Sequence, residues 1–255
     1  EWDLEAMYEA GRECPVSSTP LVCIVVATYR ETERVAKAAR QTRNAVREHL
    51  DARGINSMVL HIDGDSLVCR MRQRACHMFL ATPATHMLFW DADIACRTPD
   101  CVAEMIASGH DVVAGACPFK DVTGRTVHNL WPADAERMRE GAQVAMRHGC
   151  IEVRDAGTGF MLLSRRALVT LQQRHPELLH WSVSLGEDRG APLWALFDTG
   201  VVDGEYRSED YRFCHLWQQA GGKVYVYAPA EFTHYGEHGF EASFFEQYGL
   251  VAGSP

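Results

Sequence analysis

The sequence predicts an α/β domain with a mainly parallel central sheet flanked by helices. Three observations predict it. Leu21–Ala27 (LVCIVVA) is an unbroken β-branched run, the pattern of a strand buried on both faces. Glu33–Leu50 follows with its apolar residues at helical spacing. The strand–helix alternation then repeats as far as Ala116, and such runs form parallel sheets with right-handed crossovers.

Each element has its own signal. In Glu33–Leu50, Val35, Ala38, Val46 and Leu50 take one side, and Arg34, Lys37, Arg40, Arg43 and Arg47 the other. Ser57–Ile62 is the second strand, Ser66–Leu80 the second helix and His86–Trp90 the third strand. Pro99 suits the first turn of a helix that runs to Ala107. Asp111–Ala116 is the fourth strand.

The second half is less regular and predicts a smaller, mixed part of the sheet. Ile151–Val153 and Phe160–Leu163 read as short strands around Gly157-Thr158-Gly159, and Arg165–Gln173 as a helix. Pro192–Phe197 reads as a strand leading into an acidic, glycine-containing loop, Asp198–Glu205. Ser208 can cap a helix through Ala220, with Glu209 and Asp210 in the first turn, where the helix dipole favours acids. Gly221-Gly222 ends it, and Lys223–Tyr227 and Glu231–His234 are further strands. With no internal repeat, low-complexity segment or linker, one domain is expected, preceded by an extension over residues 1–20.

Composition narrows the classes. At 47% apolar residues the chain can fill a core, and a net charge of −9 argues against nucleic-acid binding by the whole surface. Nine cysteines without a Cys-x-x-Cys pair predict a reduced, cytoplasmic protein rather than a disulfide framework or zinc site. Leu21–Ala27 is the longest strongly apolar run, too short to span a membrane, and residues 1–20 carry no signal-peptide pattern.

In open parallel sheets, ligands sit beyond the carboxyl ends of the strands. Thr28-Tyr29-Arg30, Asp63-Gly64-Asp65 and Asp91-Ala92-Asp93 should therefore open onto one rim. Two carboxylates one residue apart can share a hard divalent cation, and Mg²⁺ is commonly held by one or two carboxylates plus substrate phosphates. The same residues also suit a plain turn after a strand.

At this point the residues carry a resemblance. "FLATPATHMLFWDADI" resembles the metal-binding segment of GT-A-type nucleotide-sugar glycosyltransferases, closest to small bacterial and phage or large-virus members with a DxD motif. "CRMRQRACHMFL", "HDVVAGACPFKD", "DAGTGFMLLSRRAL" and "LFDTGVVDGEYRSEDYRFCHLWQQAGGKVYVYAPAEFTHYG" are similar to further blocks of that group, in the same order. Together they span roughly residues 21–240. Cys117, Phe119 and Gln73 depart from the group's tyrosine, lysine and asparagine.

The resemblance implies a single GT-A, Rossmann-like domain with a nucleotide-binding half over 21–116 and an acceptor-binding, catalytic half over 117–255. It implies a nucleotide-diphosphate sugar donor, a hydroxyl acceptor and Mn²⁺ or Mg²⁺. Thr28, Tyr29, Arg30 and Asp63 would meet the nucleotide, and Arg70 and Arg72 the phosphate or sugar oxygens. A solvated helix face is the plainer reading of Arg72 and Arg74. Asp91 would reach the ribose or a metal-bound water, with Asp93 and His234 on the metal. His238, four residues on, reads as a surface histidine. Asp210 would be the general base of an inverting transfer, with Glu209 beside it; plain helix capping is the competing role. Gly157, Thr158 and Gly159 would pass close to a ligand or form a tight hairpin. Trp131 would stack on a sugar, whereas Trp90 and Trp194 suit the core.

The group that the chain resembles includes phage enzymes that glycosylate hydroxymethylated bases in DNA, so the resemblance implies modified DNA as an alternative acceptor to a glycan or small molecule. The basic face of Glu33–Leu50 would be its track, or else a solvated surface. A sugar-1-phosphate nucleotidyltransferase or a dehydrogenase would want glycines after the first strand, where "ATYRETER" has none. A non-catalytic module would not need Asp91, Asp93, Asp210 and His234 together.

Overall fold

A computed structural model describes residues 15–28, 33–63, 65–120, 138, 140, 145–182, 189–236 and 239–244. The first half runs β1 (Leu21–Thr28), α1 (Glu33–Ala52), β2 (Asn56–Asp63), α2 (Val68–Leu80) and β3 (His86–Asp91). It continues with β4 (Ile94–Cys96), α3 (Cys101–Ala107) and β5 (Val112–Gly115). The second half adds β6 (Met146–Arg147), β7 (Cys150–Val153), β8 (Phe160–Ser164), α4 (Arg165–Arg174), β9 (Leu179–Trp181) and β10 (Pro192–Trp194). The chain then forms β11 (Gly200–Val202), β12 (Glu205–Arg207), α5 (Glu209–Gln219), β13 (Val224–Tyr227), β14 (Phe232–Tyr235) and β15 (Gly239–Ala242).

The central sheet has eight strands in the order β2-β1-β3-β8-β5-β13-β7-β6. β1 is parallel to β2 and β3, and β13 is parallel to β5. β8 runs antiparallel between β3 and β5, and β7 runs antiparallel to β13 and β6. Six strands therefore share one direction, and β8 and β7 oppose them. The predicted fourth strand, β5, is separated from β3 by the antiparallel β8, whose Phe160–Leu163 run is apolar and buried throughout, as a central strand must be.

Burial on both faces follows from β1. Cys23 and Val25 join one core with α2, α4 and α5; Val22, Ile24 and Val26 join the other with α1 and α3. Among the described residues no helix is long and apolar enough to cross a membrane.

Several local expectations change. Arg43 lies on the buried side of α1, with only 8% of its surface exposed and its guanidinium 5.9 Å from the centre of the Trp90 ring. Arg47 donates to Ser57 Oγ at 3.1 Å. The expected basic track thus loses its centre, because a long guanidinium stem beside an indole packs rather than solvates. Asp100 is the N-cap of α3, so Pro99 precedes that helix instead of opening it. Pro192–Phe197 is strand only to Trp194; Phe197 leaves it to stack on Phe213, with ring centres 4.4 Å apart.

The loop Asp198–Glu205 is half of a hairpin. Asp203 and Gly204 both have positive φ, 53° and 81°, which is the two-residue turn that joins β11 to β12.

Candidate active site

The register of the parallel strands builds the rim. Thr28 pairs with Asp63, and Ala27 with Asp91, so the ends of β1, β2 and β3 lie side by side. Tyr29, Arg30, Trp131 and His238 lie outside the described residues, and of Asp63 only the strand position is described.

The turn after β3 is pinned from three sides. The fully buried Trp90 donates its indole N–H to the Ile94 carbonyl at 2.7 Å. The Asp91 N–H donates to Gly159 O at 2.8 Å, and the Tyr235 N–H to Asp93 O at 2.8 Å. A Cβ on Gly159 would lie 2.7 Å from Ile94 Cδ1 and 3.4 Å from Asp91 Oδ2. Gly159 is thus required by the close approach of β8 to the acidic turn, which gives one of the three residues at 157–159 a definite role. Thr158 is buried, and its hydroxyl has no hydrogen-bond partner among the described residues.

Arg72 is the hub of one wall. Its side chain is buried, with Nη2 3.6 Å from Asp91 Oδ1 and Nε 3.5 Å from Glu209 Oε1. Nη1 faces the Thr158 carbonyl at 3.5 Å, and the guanidinium covers the Phe89 ring at 5.1 Å. The solvated-face reading of Arg72 is therefore wrong. Burial pushes the Asp91 carboxyl above the usual range; Arg72 pulls it partly back, and neighbouring Asp93 adds to the rise. Burial likewise raises Glu209, helped by the negative charge of Asp210 and opposed by Arg72. Arg70 forms a two-pronged contact with Asp65, both bonds at 2.8 Å, and Arg74 lies 3.7 Å from the same carboxylate.

The head of α5 holds the acid pair. Ser208 occupies the N-cap position, but its hydroxyl donates to Asp210 Oδ1 instead of accepting a backbone N–H. The Tyr211 N–H donates to the same oxygen at 2.8 Å, which fixes the buried Asp210 carboxylate. In the hairpin that precedes α5 in the chain, Val201 and Tyr206 face each other across β11 and β12, 70% and 71% exposed.

The other wall comes from β14. Antiparallel pairing sets His234 opposite Ile94, and His234 Nε2 stands 3.5 Å from Asp93 Oδ2. Nδ1 donates to the Pro118 carbonyl at 2.7 Å, which leaves Nε2 as the nitrogen facing Asp93, a lone pair in the neutral ring and a donor N–H in the protonated one. Lys120 Nζ reaches Asp93 Oδ2 at 2.5 Å. Burial alone would raise Asp93; hydrogen bonds from His234 and Lys120 prevail and bring its pKa to about 2.

This donor set can be tested against a divalent ion. Among the described residues no three carboxylate, imidazole or thiol groups converge to hold one by themselves. Asp91 turns to Arg72, while Asp93 and His234 offer one carboxylate oxygen and one imidazole nitrogen on the same side. Two such ligands fit an ion completed by substrate phosphates and water.

Sequence reasoning missed Lys120 and the ion pair between Arg72 and Glu209. Lys120 stands in the "CPFKD" segment straight after β5, where a strand-end lysine in the same rim was a usable signal.

No protein-family model matches the chain, and no curated protein matches it. Many solved structures are similar in outline. A197 from STIV is 16% identical, covering 84% of this chain and 85% of that one, with a TM-score of 0.46. The catalytic domain of Drosophila beta1,4galactosyltransferase 7, solved with xylobiose, is 13% identical over 87% and 68%, at 0.42. TarS residues 1–349 from S. aureus is 14% identical over 80% and 57%, at 0.41. Likenesses of this order assign no function, so the functional reading rests on the site's own residues.

Proposed function

We propose that the protein is a metal-dependent glycosyltransferase of the GT-A type, moving a sugar from a nucleotide-diphosphate donor to a hydroxyl acceptor with inversion. One observation carries the reading. Asp91, Asp93, Arg72, Glu209, Lys120 and His234 gather beside the ends of β1 and β3, which is where an open α/β sheet binds its ligand. The motif resemblance supports the same assignment.

Asp93 and His234 would hold Mn²⁺ or Mg²⁺ together with the donor diphosphate. The ion would neutralise charge growing on the departing diphosphate. The strand ends at Thr28 and Asp63 would receive the nucleoside, and Arg70 its outer phosphate or sugar oxygens.

Asp210 is the general base of this reading. As the acceptor oxygen bonds to the anomeric carbon and the sugar–phosphate bond breaks, the carboxylate takes the hydroxyl proton. Glu209 carries the ion pair with Arg72, so its part is to hold that guanidinium under Asp91. The exposed Val201–Tyr206 pair, on the hairpin that leads into α5, supports an acceptor that offers a flat apolar face, as a sugar ring does.

Calorimetry with nucleoside diphosphates tests the reading. Binding should require Mn²⁺ and should be lost in His234→Ala. Nucleoside-diphosphate binding at equal strength in excess chelator would contradict it.

A further inference from the structure

We infer that Lys120 is a mobile counterion that holds the metal-binding carboxylate until donor arrives and then passes to the diphosphate. The Lys120 ammonium and His234 Nε2 face the same oxygen, Asp93 Oδ2, at 2.5 and 3.5 Å. An ion held by Asp93 and His234 would compete with that ammonium for the same carboxylate oxygen, and repulsion between the two cations would favour release of Lys120.

The local structure permits the displacement. The Pro118 carbonyl is tied to His234 Nδ1 at 2.7 Å, which fixes the backbone two residues before Lys120. The lysine side chain is 38% exposed and ends a flexible four-carbon stem. It can swing without unfolding anything. Its new partner would be the donor diphosphate, whose oxygens must lie against the same ion.

Metal and diphosphate binding are then coupled. Metal alone gives up the Lys120–Asp93 pair and leaves the ammonium without a partner. Metal with diphosphate replaces that partner, so each raises the affinity of the other by the same factor. The enzyme would thus take its metal with donor and hold it weakly between turnovers. The inference uses the metal and diphosphate sites of the proposed function and rests on that reading.

The test measures Mn²⁺ binding, by the spin-resonance signal of free Mn²⁺, in wild type, Lys120→Met and Lys120→Arg. Thermal melting checks that the variants fold. Lys120→Met should bind Mn²⁺ alone about fivefold more tightly, the upper end for a partly exposed pair. Lys120→Arg should stay near wild type. Calorimetry with Mn²⁺-pyrophosphate should show the reverse order, Lys120→Met binding about tenfold more weakly as a charged hydrogen bond is lost. Unchanged, weaker or undetectable Mn²⁺ binding by Lys120→Met would overturn the inference. If that result came with nucleotide-sugar hydrolysis intact, the glycosyltransferase reading would stand without it. The predicted metal signature in a protein that cleaves no nucleotide-sugar would do the opposite.

Discussion

The Arg72 guanidinium places Nη2 3.6 Å from the Asp91 carboxylate and Nε, on the same edge, 3.5 Å from Glu209, joining the end of β3 to the head of α5. Two elements far apart in sequence are thus held in one wall by a single buried cation. Arg72→Met keeps the packing volume and removes the charge. It should cost on the order of 2 kcal/mol, less than a fully buried pair because Asp91 is 34% exposed. Urea denaturation measures it. Donor KM should rise as well.

The acid pair should separate by kinetics. Asp210→Asn should lower kcat by about 10²–10⁴ with donor binding near wild type, the range for loss of a general base. Glu209→Gln should raise donor KM more than it lowers kcat, because it releases Arg72. The opposite pattern would make Glu209 the base.

The pH profile carries a related expectation. Burial and the charge of Asp210 raise Glu209, so it protonates at a higher pH than an ordinary glutamate. Protonation loses the Arg72 pair. The activity should therefore fall, on the acid side, above the usual glutamate range, and Glu209→Gln should move that limb to lower pH. A limb unchanged in Glu209→Gln would assign it to another group.

Much of the frame was legible because its signals are local. Apolar continuity marks β1 and β3, helical period marks α1, and the carboxyl-end rule brings Thr28, Asp63 and Asp91 together. What was not legible depends on long-range packing. Nothing in the local pattern says that β8 inserts between β3 and β5, or that Arg43 lies on the buried side of its helix. The β11–β12 hairpin is a different case. Its Asp203-Gly204 pair is a strong local turn signal inside the stretch expected to be a loop. For the site, spacing singled out Asp91 and Asp93, and the resemblance implied His234, which the structure brings to 3.5 Å from Asp93. Lys120 and the Arg72–Glu209 link needed three dimensions.

The basic face of α1 bears on the acceptor. With Arg43 buried, Lys37 and Arg40 are its exposed cations among the described side chains. Arg43→Glu should destabilise the fold by about 2 kcal/mol or more, as a buried charge without a matched partner does. Lys37→Glu with Arg40→Glu should fold normally and leave transfer unchanged. A steep, salt-dependent loss of activity on hydroxymethylcytosine DNA in that double variant would instead make modified DNA the acceptor.

The central claim is that this rim splits a nucleotide-sugar. It is tested most directly by incubating the protein with a panel of nucleotide-sugars and Mn²⁺ and measuring nucleoside-diphosphate release, in wild type and Asp93→Asn. Slow hydrolysis reports the reaction even without an acceptor. Release from at least one donor, abolished in Asp93→Asn and by excess chelator, is the predicted result. No release from any donor, or equal release by Asp93→Asn, would contradict it.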